Sequence, residues 1–526
     1  MPRIIHAPRA SVSLLVLLTA WLSAAAARAA PAPQEPDGFP PVPPPPPVLF
    51  PSQEGEQPSR PFAGVHQGRP FLRAPGDDFR LYPGGLFETD WRSSFGPGVS
   101  DVPAGSFLVP YLVVRRARLE LSGELGQSFA FVAGLELGGE RMGEGAAAGS
   151  RFAPADASRG RVQPAEVSAS YLLRPWLSFT VGQVNAPFSL ENRTPERARS
   201  MFERNLAIAG LAVPDDKELG ALVWGELFGP RTLAYELGVF SGGGRSRPAV
   251  DAWPDFVGRV FSRPLAPTGD STFRRFAQIG LSARYGGRDQ DLVDYDYSAI
   301  ATGQGFVLWQ PAYADSYGRP VRVLPSGRQR AIGGELRLPV DIPGTGRVLD
   351  LRAEAYYVAN QTREAVAGYE LSHTERFGRF KGIGWYGLVS FWPWGEGLPA
   401  EEPGVTRPVH LDLDRPAPPL RRGLELLAIA AGINANYSGA TRLGSRADAN
   451  TPDANVAVYQ LGGAVQYWHG SNLRAGIGYS LYVVPEAGEP RANQALVPGS
   501  LVADAAGNPG AGSTLHELTG RVAVGF

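Results

Sequence analysis

The chain has 526 residues, enough for several soluble domains or one large barrel, and carries 50 basic and 51 acidic side chains for a formal charge of −1. Its 65 Gly, 49 Pro, 10% aromatic content and only 3 Met suit many short strands and turns better than helices. There is no cysteine, which excludes a disulfide framework and thiolate metal sites, and the charge balance gives no support to a nucleic-acid partner.

Residues 1–29 read as a secretory signal peptide. Arg3 and Arg9 form its positive end, Ser11–Leu22 its apolar stretch, and Ala27-Arg28-Ala29 a small-residue cleavage site. Twelve apolar residues fall short of the ~20 that span a bilayer as a helix. Without residues 1–30 the chain keeps 47 basic against 51 acidic residues, a net of −4. Residues 30–78 read as a Pro-rich periplasmic linker. Its five consecutive prolines at 43–47 favour an extended polyproline rod and cannot enter a sheet interior.

From Phe79 onward the pattern alternates with period two. In Tyr111–Leu125, Val113, Ala117, Leu119, Leu121 and Leu125 fall on one face, interrupted by Arg115. Arg116, Arg118, Glu120, Ser122 and Glu124 fall on the other. In Ala277–Tyr285 the apolar face opposes Gln278, Ser282 and Arg284, and in Val348–Tyr357 it opposes Asp350, Arg352 and Glu354. A charged face is a poor protein core but costs little against water. The pattern therefore predicts an all-β fold, a transmembrane antiparallel β-barrel with lipid outside and a wet lumen inside.

Sixteen strands are expected, at 79–91, 107–125, 128–138, 163–173, 176–184, 217–228, 231–241, 255–263, 274–286, 330–340, 347–359, 381–392, 422–437, 455–468, 471–484 and 514–526. Tight connections at Gly126-Gln127, Arg174-Pro175, Gly229-Pro230 and Gly470 alternate with long ones, as periplasmic turns alternate with external loops. Residues 393–421, acidic then Pro-rich, are long where a turn is expected. The clusters Trp385-Tyr386 and Phe391-Trp392-Pro393-Trp394 read as interfacial girdle residues. The last strand places Leu518, Val522, Val524 and Phe526 on one face, resembling the terminal pattern that the outer-membrane barrel-assembly machinery reads.

VRRARLELSGEL at 114–125, WLSFTVGQVNAPFSLE at 176–191 and MFERNLAIAGLAVP at 201–214 resemble the phosphate-selective porin O and P family. LAYELGVFSG at 233–242, IGWYGLVSFW at 383–392 and GLELLA at 423–428 are similar to later blocks of that family. The resemblance implies an outer-membrane porin, a homotrimer in bacterial outer-membrane lipid, passing small anionic solutes that include phosphate or polyphosphate. It also implies that Arg116 and Arg118 are basic lumen residues, and the alternation places Glu120, Glu124, Arg284 and Arg352 on the same pore-lining face. The segment after PFSLE is similar to the family's inward-folded constriction loop, here carrying Arg193, Arg197, Arg199 and Arg204 beside Glu191, Glu196 and Glu203. Asn185 stands where family members commonly have Lys. The alternatives are a non-selective diffusion barrel, or a structural or adhesive barrel with a plugged lumen. No catalytic residue, cofactor or metal is expected, because the six His have no ligand spacing and no nucleophile–base pair stands out.

Overall fold

The computed structural model describes residues 61–95, 111–126, 128–138, 162–213, 216–245, 253–266, 273–289, 295–304, 307–309, 312–314, 320–366, 376–395, 403–416, 421–442, 453–484 and 514–526. All of them lie in the compact unit Arg60–Phe526. The expected signal peptide and the linker as far as residue 60 fall outside the described residues.

Alternation turns into a wall because successive side chains leave a strand on opposite sides. The wall strands are β1 (Phe79–Phe95), β2 (Tyr111–Leu125), β3 (Phe129–Glu136), β4 (Gln163–Arg174), β5 (Leu177–Asn185), β6 (Lys217–Leu227), β7 (Leu233–Phe240) and β8 (Asp255–Ser262). They continue as β9 (Gln278–Arg288), β10 (Pro320–Ile342), β11 (Arg347–Val366), β12 (Arg376–Gly395), β13 (Arg422–Arg442), β14 (Asp453–His469), β15 (Leu473–Val483) and β16 (Thr514–Gly525). Each pairs antiparallel with the next, and β16 returns to β1 from His516↔Phe95 to Gly525↔Leu86. The sixteen-strand ring is closed, so the barrel wall itself has no open edge among the described residues.

Burial runs opposite to that of a water-soluble protein. On β2, Leu119 and Leu125 are 52% and 51% exposed, while Arg116 and Glu124 are each 8% exposed. Ile279, Leu281 and Tyr285 of β9 likewise face outward, and Gln278 and Ser282 inward. An apolar exterior over a charged interior fits hydrocarbon outside and polar groups within.

Two local features depart from the plain period. Arg115 breaks the greasy face because the β1–β2 register shifts between Glu88 and Thr89, a bulge that turns Arg115 inward beside Arg116. Residues 320–329, left out of the expected strand, join β10 because a register irregularity between Pro325 and Gln329 absorbs the proline. Residues 61–78, read as the end of a linker, contain a hairpin of Ala63–His66 and Arg69–Arg73. Its second strand pairs with β1 at Leu72↔Leu81 and Arg73↔Arg80.

The aromatic girdle reading is corrected at two positions. Tyr386 and Trp392 point inward and are 2% and 1% exposed, whereas Trp394 is 55% exposed and stacks on Tyr467. Parity decides this, since 386 and 392 share the inward register of Ser390.

Candidate functional site

In the β5–β6 connection, residues 186–213 fold into the barrel. Its approach depends on Gly182, which adopts φ +139, where an added Cβ would sit 2.1 Å from the Val167 carbonyl oxygen. Gln183 donates its side-chain amide to the carbonyls of Pro164 and Ala165 at 2.9 and 3.3 Å. The VGQ motif is therefore a stitch between β4 and β5.

PFSLE is fixed by a carboxylate of the opposite wall. Leu190 N–H and Glu191 N–H donate to Glu354 at 3.0 and 2.8 Å, and the Tyr386 hydroxyl donates to the same carboxylate at 2.6 Å. Ser189 N–H adds a bond to Ser282 Oγ at 3.0 Å. Further along, Leu206, Ile208, Leu211 and Val213 are almost fully buried against an apolar wall that includes Tyr356, Val358, Ile429 and Ile433. The expectation of a lumen wet throughout is corrected here. The external half of β11–β14 presents apolar side chains inward, and the loop tip covers them.

FERN carries the charge. Glu203 accepts from Arg115 at 2.7 Å and Arg521 at 2.6 Å, with Arg116 at 3.4 Å and Arg92 at 3.8 Å. Burial would raise this carboxyl, but Arg115, Arg116 and Arg521 together hold it well below the ordinary carboxylate range. Phe202 lies beneath Arg521 and Arg474, 5.4 and 5.9 Å from its ring centre. Arg204 donates to Asn192 Oδ1 at 3.1 Å and to the Val213 carbonyl at 2.7 Å, closing the loop on itself.

The six residues expected to line the pore all face inward, and Arg116, Arg118, Glu124, Arg284 and Arg352 hold partners. Arg116 meets Glu88, Glu196 and Glu203. Arg118 meets Glu196 at 2.6 Å and Glu136 at 3.1 Å. Glu120 is half-buried on the same face. Glu124 accepts from Tyr82 at 3.1 Å and contacts His410 at 3.0 Å. Arg284 pairs with Glu218 and Asp255, and Arg352 with Asp350 at 2.8 Å.

The expected constriction residues divide. Arg193 bonds Glu236 at 3.1 Å and the Asn185 carbonyl at 2.8 Å, and Asn185 Oδ1 accepts from Lys217 at 2.9 Å. Arg197 sits at the end of β16, donating to the Phe526 carbonyl at 3.2 Å. The backbone carbonyl of Arg199 accepts from Arg474 at 2.5 Å. Arg193 and Arg204 stand inside the loop, so the five do not converge on one point.

Sequence reasoning passed over the partners: Glu88, Asp90 and Arg92 on β1, Arg474 on β15 and Arg521 on β16. All have inward parity, which was the signal available. It also passed over the lumenal insertion. The unexpectedly long β12–β13 connection enters the lumen from the turn side over residues 403–416. Gly404 N–H donates to Thr194 Oγ1 at 2.9 Å, and Arg193 donates to the Thr406 carbonyl at 3.1 Å. Arg407 pairs with Glu236 at 2.5 Å and lies over the Trp224 ring at 4.5 Å.

Two open spaces are bounded by described residues. A small cavity of about 40 Å³ lies between the β3–β6 wall, with Ser168, Ser170, Thr180 and Trp224, and the loop and insertion, with Arg193 and Arg407. A second cavity of about 80 Å³ is lined by Tyr295 and Tyr297.

Residues 110–235 match the family model described as phosphate-selective porin O and P. No curated protein matches the chain. Among solved structures, it is similar to in-vitro folded OmpT, an outer membrane protein of Vibrio cholerae, at 9% identity and a TM-score of 0.45, covering 86% of this chain and 98% of that one. The trimer form of OmpT gives 9% identity and 0.45, covering 85% and 100%. The outer membrane channel DcaP of Acinetobacter baumannii gives 12% identity and 0.40, covering 86% and 99%. The closed sixteen-strand ring, its apolar exterior and the match over residues 110–235 identify the chain as a porin-type channel of the bacterial outer membrane, similar over that segment to the phosphate-selective porin O and P family.

Proposed function

We propose that the barrel passes small solutes passively, with a weak preference for anions, along the β3–β6 side of its lumen. The observation that carries this is the lining of that cavity, where Arg193 and Arg407, which share Glu236 behind them, face a wall of Ser168, Ser170 and Thr180, and Glu166 is the acid of the lining itself. Lys217 pairs with Glu166, so the acid is compensated within the wall. Hydroxyls and guanidinium groups donate hydrogen bonds to an anion, which favours chloride or an oxyanion over a cation.

Phosphate would need guanidinium groups free of carboxylates, and Arg115, Arg116, Arg118 and Arg521 each hold at least one, as Arg193 and Arg407 hold Glu236. Anion transport is therefore the reading, with phosphate one permeant species among several. The same reading takes the barrel as a homotrimer, exported by residues 1–29 and assembled through the strand ending in Phe526.

The test is the reversal potential of purified protein under a KCl gradient, with phosphate then competing against chloride. The expected sign favours chloride, and phosphate lowers chloride current only at high concentration. A cation-favouring sign removes the anion reading. The plugged-barrel alternative keeps one specific support, the apolar packing of the loop tip against β11–β14, and predicts no current at all.

A further inference from the structure

We propose that the N-terminal hairpin is a periplasmic latch on the pore: it holds the 403–416 insertion inside the barrel, and the insertion in turn holds the constriction loop. Two ends of the insertion do different work. Its lumenal end is bonded to the loop, through Gly404 N–H to Thr194 Oγ1 at 2.9 Å, Arg193 to the Thr406 carbonyl at 3.1 Å, and Thr406 Oγ1 to the Arg193 carbonyl at 2.9 Å. Val405 is buried there against Ala234 and Phe261.

Its other end is gripped at the periplasmic rim. Phe71 of the hairpin packs with Tyr82 of β1 and Leu411 of the insertion, flanked by Val409 and Leu413. Arg73 of the hairpin, 2% exposed, pairs with Asp414 at 3.0 Å. Arg80 donates to the Leu411 carbonyl at 3.0 Å. The hairpin is itself fastened to the barrel seam. Asn472 donates to the carbonyls of Gly68 at the hairpin turn and Gly525 on β16, at 2.8 and 2.9 Å.

A continuous set of contacts thus leads from the rim to residues 193–194. An inward excursion of a turn has no strand partner of its own, so its position depends on whatever fastens its ends. Here the outer fastening belongs to a segment that follows directly on the Pro-rich arm, which gives anything acting on that arm a mechanical route to the constriction. This inference rests on the conducting reading only for its electrical readout.

The absence of cysteine allows a direct test, since Val405→Cys supplies one thiol. In the latched barrel that thiol is buried and reacts slowly with a polar maleimide. Asp414→Arg, at a half-exposed position, and Arg73→Glu each break the pair and should raise the labelling rate several-fold. Combining them restores an opposite-charge pair and should return the rate toward that of the Val405→Cys parent. In planar bilayers the single variants should show about two-fold larger steps, because conductance follows the open cross-section.

Parental labelling rates in both single variants, in barrels that migrate as folded on unheated gels, would overturn the latch. If Arg73→Glu alone fails to fold, Asp414→Arg decides by the same measure. A parent that labels slowly but passes no current would remove the conducting reading and leave the latch to the thiol result.

Discussion

Replacing Glu203 with Gln should raise the anion-to-cation permeability ratio of the channel by up to about five-fold, because one unit charge at about 4 Å is worth ~1 kcal/mol at the dielectric of water, every 1.4 kcal/mol is a decade, and Glu203 acts on the β3–β6 path from across the lumen rather than from its lining. In the wild type this carboxylate is shared by Arg115, Arg116, Arg521 and, at 3.8 Å, Arg92. Removing it leaves guanidinium charge on the inner wall with one acid fewer to compensate it. The loop should stay docked, because its tip buries four aliphatic side chains, Leu206, Ile208, Leu211 and Val213, worth about 1.5–3 kcal/mol each. Breaking one partner of a buried ionic cluster costs ~3–5 kcal/mol, which is less than the tip supplies. The readout is the reversal potential of the variant against that of the wild type under the same KCl gradient, and an unchanged ratio would mean that the arginine wall lies off the ion path.

Acid provides the matching control. Because Glu203 is held well below the ordinary carboxylate range, its contribution is present above the unfolded-state value and is lost only as pH falls through the depressed one. Wild-type selectivity should therefore stay flat from neutral pH down through the usual carboxylate range. An early acid transition would assign the control to another carboxyl.

The second large effect is expected at Glu354. Substitution by Ala removes the acceptor for Leu190 N–H, Glu191 N–H and the Tyr386 hydroxyl together. Each donor left buried without a partner costs about 1–3 kcal/mol, so PFSLE should come away from the wall while the apolar tip remains anchored. Single-channel traces should become noisy, with frequent sub-steps, and the temperature at which the folded gel band is lost should fall. Glu354→Gln keeps an acceptor and should lie between, and Tyr386→Phe, which removes one donor and leaves the backbone bonds, should be mildest. Quiet wild-type traces from a folded Glu354→Ala barrel would show that the loop does not depend on this carboxylate.

How much of this could be read beforehand depends on the range of the interaction. The strands were legible because each carries its own evidence: Leu119, Leu121 and Leu125 against Arg116, Glu120 and Glu124 is a local pattern, and closure follows once sixteen such strands need partners. Arg115 was legible as an exception, though its cause lies in a bulge facing the neighbouring strand. The inward direction of Arg116 and Arg118 could be read, but their neutralisation could not. Their partners Glu196 and Glu203 sit on a loop about eighty residues on, and loop placement has no period to betray it.

Long range also hid the insertion and the hairpin. Residues 403–416 contact Arg193, Glu236 and Arg259 far back in the chain, and nothing near Thr406 announces them. The hairpin strands are four and five residues long and follow directly on a Pro-rich stretch, so composition argued for a linker. The apolar lumen face was concealed for a different reason. Val358, Ile429 and Ile433 sit on strands whose outer face is also apolar, so the alternation fades where both sides are dry.

The central claim is that a water path survives beside the inward-folded loop, along Ser168, Ser170 and Thr180. Single-channel recording of the purified, folded protein in a planar bilayer tests it most directly. Discrete, reproducible current steps carried mainly by chloride are expected. A barrel that inserts and migrates as folded on unheated gels, yet passes no current, would contradict the account.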